Sequence, residues 1–140
     1  MAFSTKERRP MLRDAGLRAE MHKYLGGISN KLDCPPILIG GTDDHVHLLG
    51  RQARTIALAE WIKELKRGSS IWIKTKDTSL AGFEWQAGYG AFSVSQSQSD
   101  RVENYIAGQE EHHRRLSFQD EFRRLLEKHK IEYDERYVWD

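Results

Sequence analysis

A single cysteine, Cys34, stands in a chain of 140 residues. It cannot close an intrachain disulfide, and no CxxC or Cys/His zinc spacing accompanies it. No stretch approaches the roughly 20 apolar residues that a membrane-crossing helix needs. The opening MAFSTKERRP is charged within a few residues and lacks the apolar core of a secretory signal. The expectation is therefore no membrane association and a reducing, cytoplasmic location. Charge of one sign is also missing. The net charge is only +1, so overall basicity does not by itself point to nucleic acid. Repeats, low-complexity tracts and internal linkers are absent, and the length suits one domain over residues 1–140. Hydrophobic residues at 39% and aromatics at 10% exclude a wholly disordered chain.

What is present alternates helical and strand patterns. Leu17, Met21, Leu25 and Ile28 share a helical face and predict a helix over 13–30, which Cys34-Pro35-Pro36 brings to a stop. Ile37 to Gly41 and His45 to Leu49 read as two strands joined by Thr42-Asp43-Asp44, an antiparallel hairpin. Leu58, Ile62 and Leu65 predict a helix from about 55, with Thr55 as its cap; Gly68 either kinks or ends it. Residues 77–88 read as loop and Tyr89 to Ser95 as a strand. A helix capped by Ser97, Ser99 or Asp100 is expected to run to about Leu116. Ser117 opens another, with Phe118, Phe122, Leu125 and Leu126 as its buried stripe. The tail from Ile131 to Asp140 is expected to fold back onto the body. One short strand, Ala2 to Thr5, would complete a β-α-β-β-α-β core.

Several residues could carry chemistry. His45 and His47 are two apart on a strand and share a face, so they can hold one metal ion; a solvated polar face is the alternative. Asp44 could orient one of them. Tyr105 and Gln109 are four apart, one turn of a helix, and pair a nucleophile with a neutral oxygen ligand. The plainer reading is a tyrosine at the core margin and a solvated glutamine. Of the other tyrosines, Tyr24, Tyr89, Tyr133 and Tyr137, none has such a partner. His112 and His113 are adjacent, diverge by about 100° on a helix, and read as surface residues. Lys63, Lys66, Arg67, Lys74 and Lys76 face one acid, Glu64, within 61–76. Trp61 and Trp72 lie among them, a combination that suits single-stranded nucleic acid. A solvated helix face is the other reading.

Taken in order, Asp44-His45-Val46-His47-Leu48-Leu49, the run Trp85 to Ser95, and Tyr105-Ile106 followed by Gln109 to His113 resemble the single-tyrosine HUH transposases of small bacterial insertion sequences and their REP-associated relatives. The resemblance covers nearly the whole chain. It implies an α+β, ferredoxin-like (RRM-like) antiparallel sheet with helices on one side, the first strand here shortened to Ala2–Thr5. It implies a transposase that cleaves and rejoins single-stranded or hairpin DNA through a 5′-phosphotyrosine. Tyr105 would be the nucleophile, and His45, His47 and Gln109 the ligands of Mg²⁺ or Mn²⁺. Lys63, Lys66, Arg67 and Lys74 are the expected DNA contacts, and a homodimer the expected assembly. A DNA- or RNA-binding module of the same fold, without turnover, is the alternative. Shortening of a central strand would be expected to unpair its neighbours.

Overall fold

The computed structural model describes residues 1–113, 116–136, 138 and 139. The sheet holds strands β1 (Ala2–Ser4), β2 (Pro36–Gly41) and β3 (His45–Gly50), all antiparallel, in the order β1-β3-β2. Among the described residues five α-helices accompany it: α1 (Ala15–Lys31), α2 (Leu58–Ile73), α3 (Ser99–Ala107), α4 (Gln109–His112) and α5 (Phe118–Lys128). The α+β, ferredoxin-like reading holds.

The short first strand does not unpair its neighbours. On one side β1 pairs with β3, Ala2 opposite His47 and Ser4 opposite His45. On the other side it bonds to residues 84–90. Ala2 and Gly90 exchange both backbone bonds at 2.8 Å, and Gln86 N–H donates to the Ser4 carbonyl at 2.9 Å. The fourth position of the sheet is thus filled by 84–90, not by the strand expected at Tyr89–Ser95, where only Gly90 bridges. Between the bridges Ala2–Gly90 and Thr5–Trp85, the 84–90 segment advances five residues while β1 advances three. The two extra residues bulge outward. Gln86 Oε1 takes a ladder position, accepting the Ser4 N–H at 2.6 Å. Lys66 Nζ donates to the carbonyls of Gln86 (2.8 Å) and Gly88 (2.6 Å), which the bulge leaves without strand partners.

Strand alternation gives the sheet two faces. Phe3, Val46 and Leu48 join Met21, Leu25, Trp61 and Leu65 in the main core, under α1 and α2. Asp14 caps α1 by accepting the Leu17 N–H at 2.8 Å. Helix α2 begins at Leu58, three residues after the expected cap Thr55. It also runs through Gly68, where a Cβ would sit 2.8 Å from Ile28 Cδ1, so that glycine admits α1 rather than ending the helix. These two helices lie on one side, as expected.

The opposite face presents Ala2, Ser4, His45 and His47. It is covered by α3, α4 and α5, a layer that the expectation of helices on one side did not include. The reason is the apolar stripe of α5: Phe118, Phe122 and Leu126 form a second core with Ala2, against which Phe92, Tyr133, Val138 and Trp139 pack. Leu125, assigned to that stripe from its spacing, is only half-buried. The tail does fold back, as Tyr133, Val138 and Trp139 show; Tyr137 and Asp140 lie outside the described residues. The single helix expected up to Leu116 is divided at Gly108, and Arg114 and Arg115 of that span also lie outside them. Among the described residues no helix is long and apolar enough to cross a membrane.

Candidate metal and nucleotidyl-transfer site

Strand β3 carries His45 and His47 into the layer between the sheet and α3–α5, and both are buried. The solvated-face alternative for this pair is therefore excluded. Phe118 stacks on the His45 ring, centroids 4.7 Å apart, and closes the site from above. His45 Nδ1 lies 2.8 Å from Asp44 Oδ1 and 3.0 Å from Thr42 Oγ1. An ionised carboxylate only accepts, so Nδ1 carries the proton and Nε2 turns its lone pair inward.

Helix α3 reaches the site because Gly40 lets it approach β2; a Cβ there would be 2.7 Å from both Ile106 Cγ2 and the Ile106 carbonyl oxygen. Gly108 then breaks the helix, and Gln109 starts α4. Tyr105 and Gln109 are thus not on one unbroken helix, yet they converge. Gln109 is buried, and its Oε1 stands 2.8 Å from His45 Nε2. Its Nε2 donates to the Tyr105 carbonyl and to Glu121 Oε2, both at 3.3 Å, which fixes the oxygen toward His45. Tyr105 is half-buried, its ring 5.6 Å from the His47 ring.

Two further residues belong here. Glu121, on α5, is buried with Oε1 2.8 Å from His47 Nε2 and Oε2 3.0 Å from His113 Nε2. His112 Nε2 also lies 3.1 Å from Glu121 Oε2, in ion-pair reach without an aligned hydrogen bond. The surface reading of His113 is overturned: ligating atoms of His45, His47, His113 and Glu121 all fall within 4.8 Å of one another. The missed signals were modest. Gln109 and His113 are one turn apart, and Glu121 lies three residues after Phe118, inside the apolar stripe of α5.

The electrostatics follow from burial. Burial pushes His47 down to about 4 against the opposing pull of Glu121, so it is neutral near pH 7. Burial alone would raise Glu121, but hydrogen bonds from His113 and His47 outweigh it and hold the carboxyl well below its usual range. Tyr105 is held protonated, above the ordinary phenol range, by burial first and then by its hydrogen bond with the Glu121 carboxylate and that group's charge.

The basic segment behaves unevenly. Lys63, Lys66, Arg67 and Lys74 line one groove between α2 and the 84–90 ribbon, with Lys6 and Tyr89. It faces away from the histidines, because α2 covers the other side of the sheet. Lys66 is committed to backbone carbonyls and half-buried, its pKa lowered to about 8 by burial, so it braces the groove wall. Trp61 is a core residue whose indole N–H donates to Ser29 Oγ at 2.9 Å, and so offers no stacking surface. Trp72 stacks on Tyr24 at 4.7 Å.

Against known proteins, the family model "Transposase IS200 like" matches residues 1–109. The chain belongs to the IS200-like transposase family. Comparison with curated proteins gave no match. A solved structure from Deinococcus radiodurans R1, named there as a candidate transposase, is 22% identical. It covers 77% of this chain and 86% of its own, with a TM-score of 0.59, and so shares the fold. The family match ends at Gln109, so α5 and Glu121 of this transposase lie beyond it.

The donor set fits a divalent cation. With His45 Nδ1 hydrogen-bonded to Asp44, its Nε2 faces Gln109 Oε1 at 2.8 Å, so an imidazole nitrogen and an amide oxygen converge where one cation, a proton or a metal ion, can be shared. Imidazole, amide and carboxylate donors together suit Mn²⁺ and Mg²⁺ better than a thiophilic metal.

Proposed function

We infer that this transposase cleaves and rejoins single-stranded or hairpin DNA through a covalent link between Tyr105 and a 5′-phosphate. His45, His47 and Gln109 would hold Mg²⁺ or Mn²⁺. The observation that carries this reading is the meeting, within one chain, of the His45–Gln109 pair at 2.8 Å and the Tyr105 ring against His47. Such an ion would polarise the scissile phosphate and ease departure of the 3′ oxygen as a Lewis acid. Tyr105 Oη attacks phosphorus and loses its proton; the P–O3′ bond breaks and the 3′ oxygen gains a proton. Attack by a 3′-OH on the phosphotyrosine reverses the step, so rejoining needs no ATP. Gln109 orients the tyrosine segment through the Tyr105 carbonyl, and Phe118 excludes water from the His45 ring. Lys63, Arg67 and Lys74 would neutralise strand phosphates along the groove, with Lys66 shaping it. The contacts within one chain support a homodimer with two complete sites over one in which the Tyr105 helix of one subunit completes the histidine site of the other.

The test is incubation with labelled single-stranded oligonucleotides and Mn²⁺, followed by a denaturing gel. Wild type forms a covalent 5′ adduct. Tyr105→Phe binds DNA and forms none, while His45→Ala loses cleavage. A Tyr105→Phe protein that still becomes attached to a cleaved 5′ end refutes the assignment. Binding of single strands by wild type without any adduct leaves the module without turnover as the better account. Mixing His45→Ala with Tyr105→Phe subunits restores no cleavage if each site is built within one chain.

A further inference from the structure

We propose that Glu121 supplies the anionic ligand of the metal centre, so that the site is completed by α5, a helix beyond the residues that the family model matches. The proposal rests on the metal-centred reading above and extends it. Its starting point is a carboxylate whose placement demands an explanation. Glu121 is 2% exposed, and among the described residues its ion-pair partners are His47, His112 and His113, with no lysine or arginine. A buried carboxylate is expensive unless a cation or several donors compensate it. Among the described residues its charged or polar partners are all side chains of the candidate site: three imidazoles, the amide of Gln109 and the hydroxyl of Tyr105.

The chemistry of the cation points the same way. His45, His47 and Gln109 are neutral donors, and hard divalent ions of the Mg²⁺ and Mn²⁺ type are held chiefly by anionic oxygen. Two imidazoles with one carboxylate make a donor set suited to such ions, and Glu121 is the carboxylate grouped with His45, His47 and His113 within 4.8 Å. His113 then acts as a positioning residue. Its Nε2, 3.0 Å from Oε2, holds the carboxylate while Oε1 stays on the His47 side. Gln109 Nε2 at 3.3 Å from Oε2 supports the same orientation. The acid is placed by folding rather than by a motif: Phe118 and Phe122 flank it on α5 and are anchored in the second core.

The experiment measures Mn²⁺ affinity of the DNA-free protein by calorimetry and by the loss of the free-ion electron paramagnetic resonance signal. His45→Ala and Glu121→Gln are compared with wild type, and circular dichroism confirms folding. Glu121→Gln should weaken Mn²⁺ binding at least tenfold, and Glu121→Asp, which keeps the charge on a shorter arm, by less. The infrared difference spectrum of wild type on adding Mn²⁺ should show a shifted carboxylate stretch; this arm needs no substitution. If His45→Ala loses Mn²⁺ but Glu121→Gln binds as wild type does, or more tightly, Glu121 is a plug or a structural acid and the proposal is overturned while the metal-centred reading stands. If wild type binds no Mn²⁺, both fall. Absence of any carboxylate shift on Mn²⁺ binding overturns the role of Glu121 alone.

Discussion

His47 on β3 and Glu121 on α5 face each other at 2.8 Å, Nε2 to Oε1, across 74 residues of sequence. The contact joins the strand that bears the histidine pair to a helix held by its own apolar stripe. The surroundings of the histidine pair are therefore tied to the docking of α5.

That coupling predicts the behaviour of Phe122→Ala. The side chain is buried against Ala2, Phe118 and Leu126, and its removal should cost about 3–5 kcal/mol. Mn²⁺ affinity and DNA cleavage should fall together although residue 122 bears no ligating atom. Urea unfolding and calorimetry measure the two effects. Full stability with full affinity would show that α5 does not hold the site.

Gly40→Ala tests the approach of α3. The new methyl would lie 2.7 Å from Ile106 Cγ2 and from the Ile106 carbonyl oxygen. Overpacking of this kind costs about 1–3 kcal/mol. The helix must move off β2 and carry Tyr105 and Gln109 with it. Cleavage should drop more than DNA affinity, since the basic groove lies on the other face of the sheet. Unchanged adduct yield would argue against a tight α3–β2 contact.

The groove residues should separate into two kinds. Arg67→Ala with Lys74→Ala should lower the magnitude of the salt dependence of single-strand binding by about 1.4, two phosphates at about 0.7 each. Lys66→Ala should instead lower the melting temperature, because the carbonyls of Gln86 and Gly88 lose their donor. Fluorescence anisotropy across a salt series, with thermal melts alongside, distinguishes them. A salt-slope change for Lys66→Ala with no loss of stability would return it to the phosphate-binding set.

Acid should destabilise the fold. His47 and His22 are both lowered to about 4 from an ordinary 6.5, in each case chiefly by burial. Between those values the unfolded chain binds more protons, so stability rises with pH there. It is complete above about 6.5 and lost as pH falls toward 4. Glu121, also lowered, adds a loss of the same sign below its ordinary 4.5. Each group contributes at most about 1.4 kcal/mol per pH unit in its window. Urea midpoints at pH 7, 5.5 and 4.5 should descend, and His22→Gln should flatten the descent. A level profile from pH 7 to 4.5 would contradict buried neutral histidines.

Much of this was legible in the chain itself. Period-two and helical spacing placed α1, the β2–β3 hairpin, α2 and the Ser117 cap, because those elements are specified by local pattern and turn chemistry. The two-residue spacing put His45 and His47 on one face, and Tyr105 with Gln109 lay one turn apart even though Gly108 interrupts the helix between them. Local pattern could not say that this histidine face is buried, since burial depends on α5 folding back over it. Nor could it foresee that Gln86 and Lys66 would repair a bulged fourth ribbon, or that Trp61 would spend its N–H on Ser29. Glu121 and His113 entered the site only through long-range packing. A carboxylate 74 residues from His47 has no sequence relation to it, and only the docking of the apolar stripe of α5 on the sheet brings the two within hydrogen-bond distance.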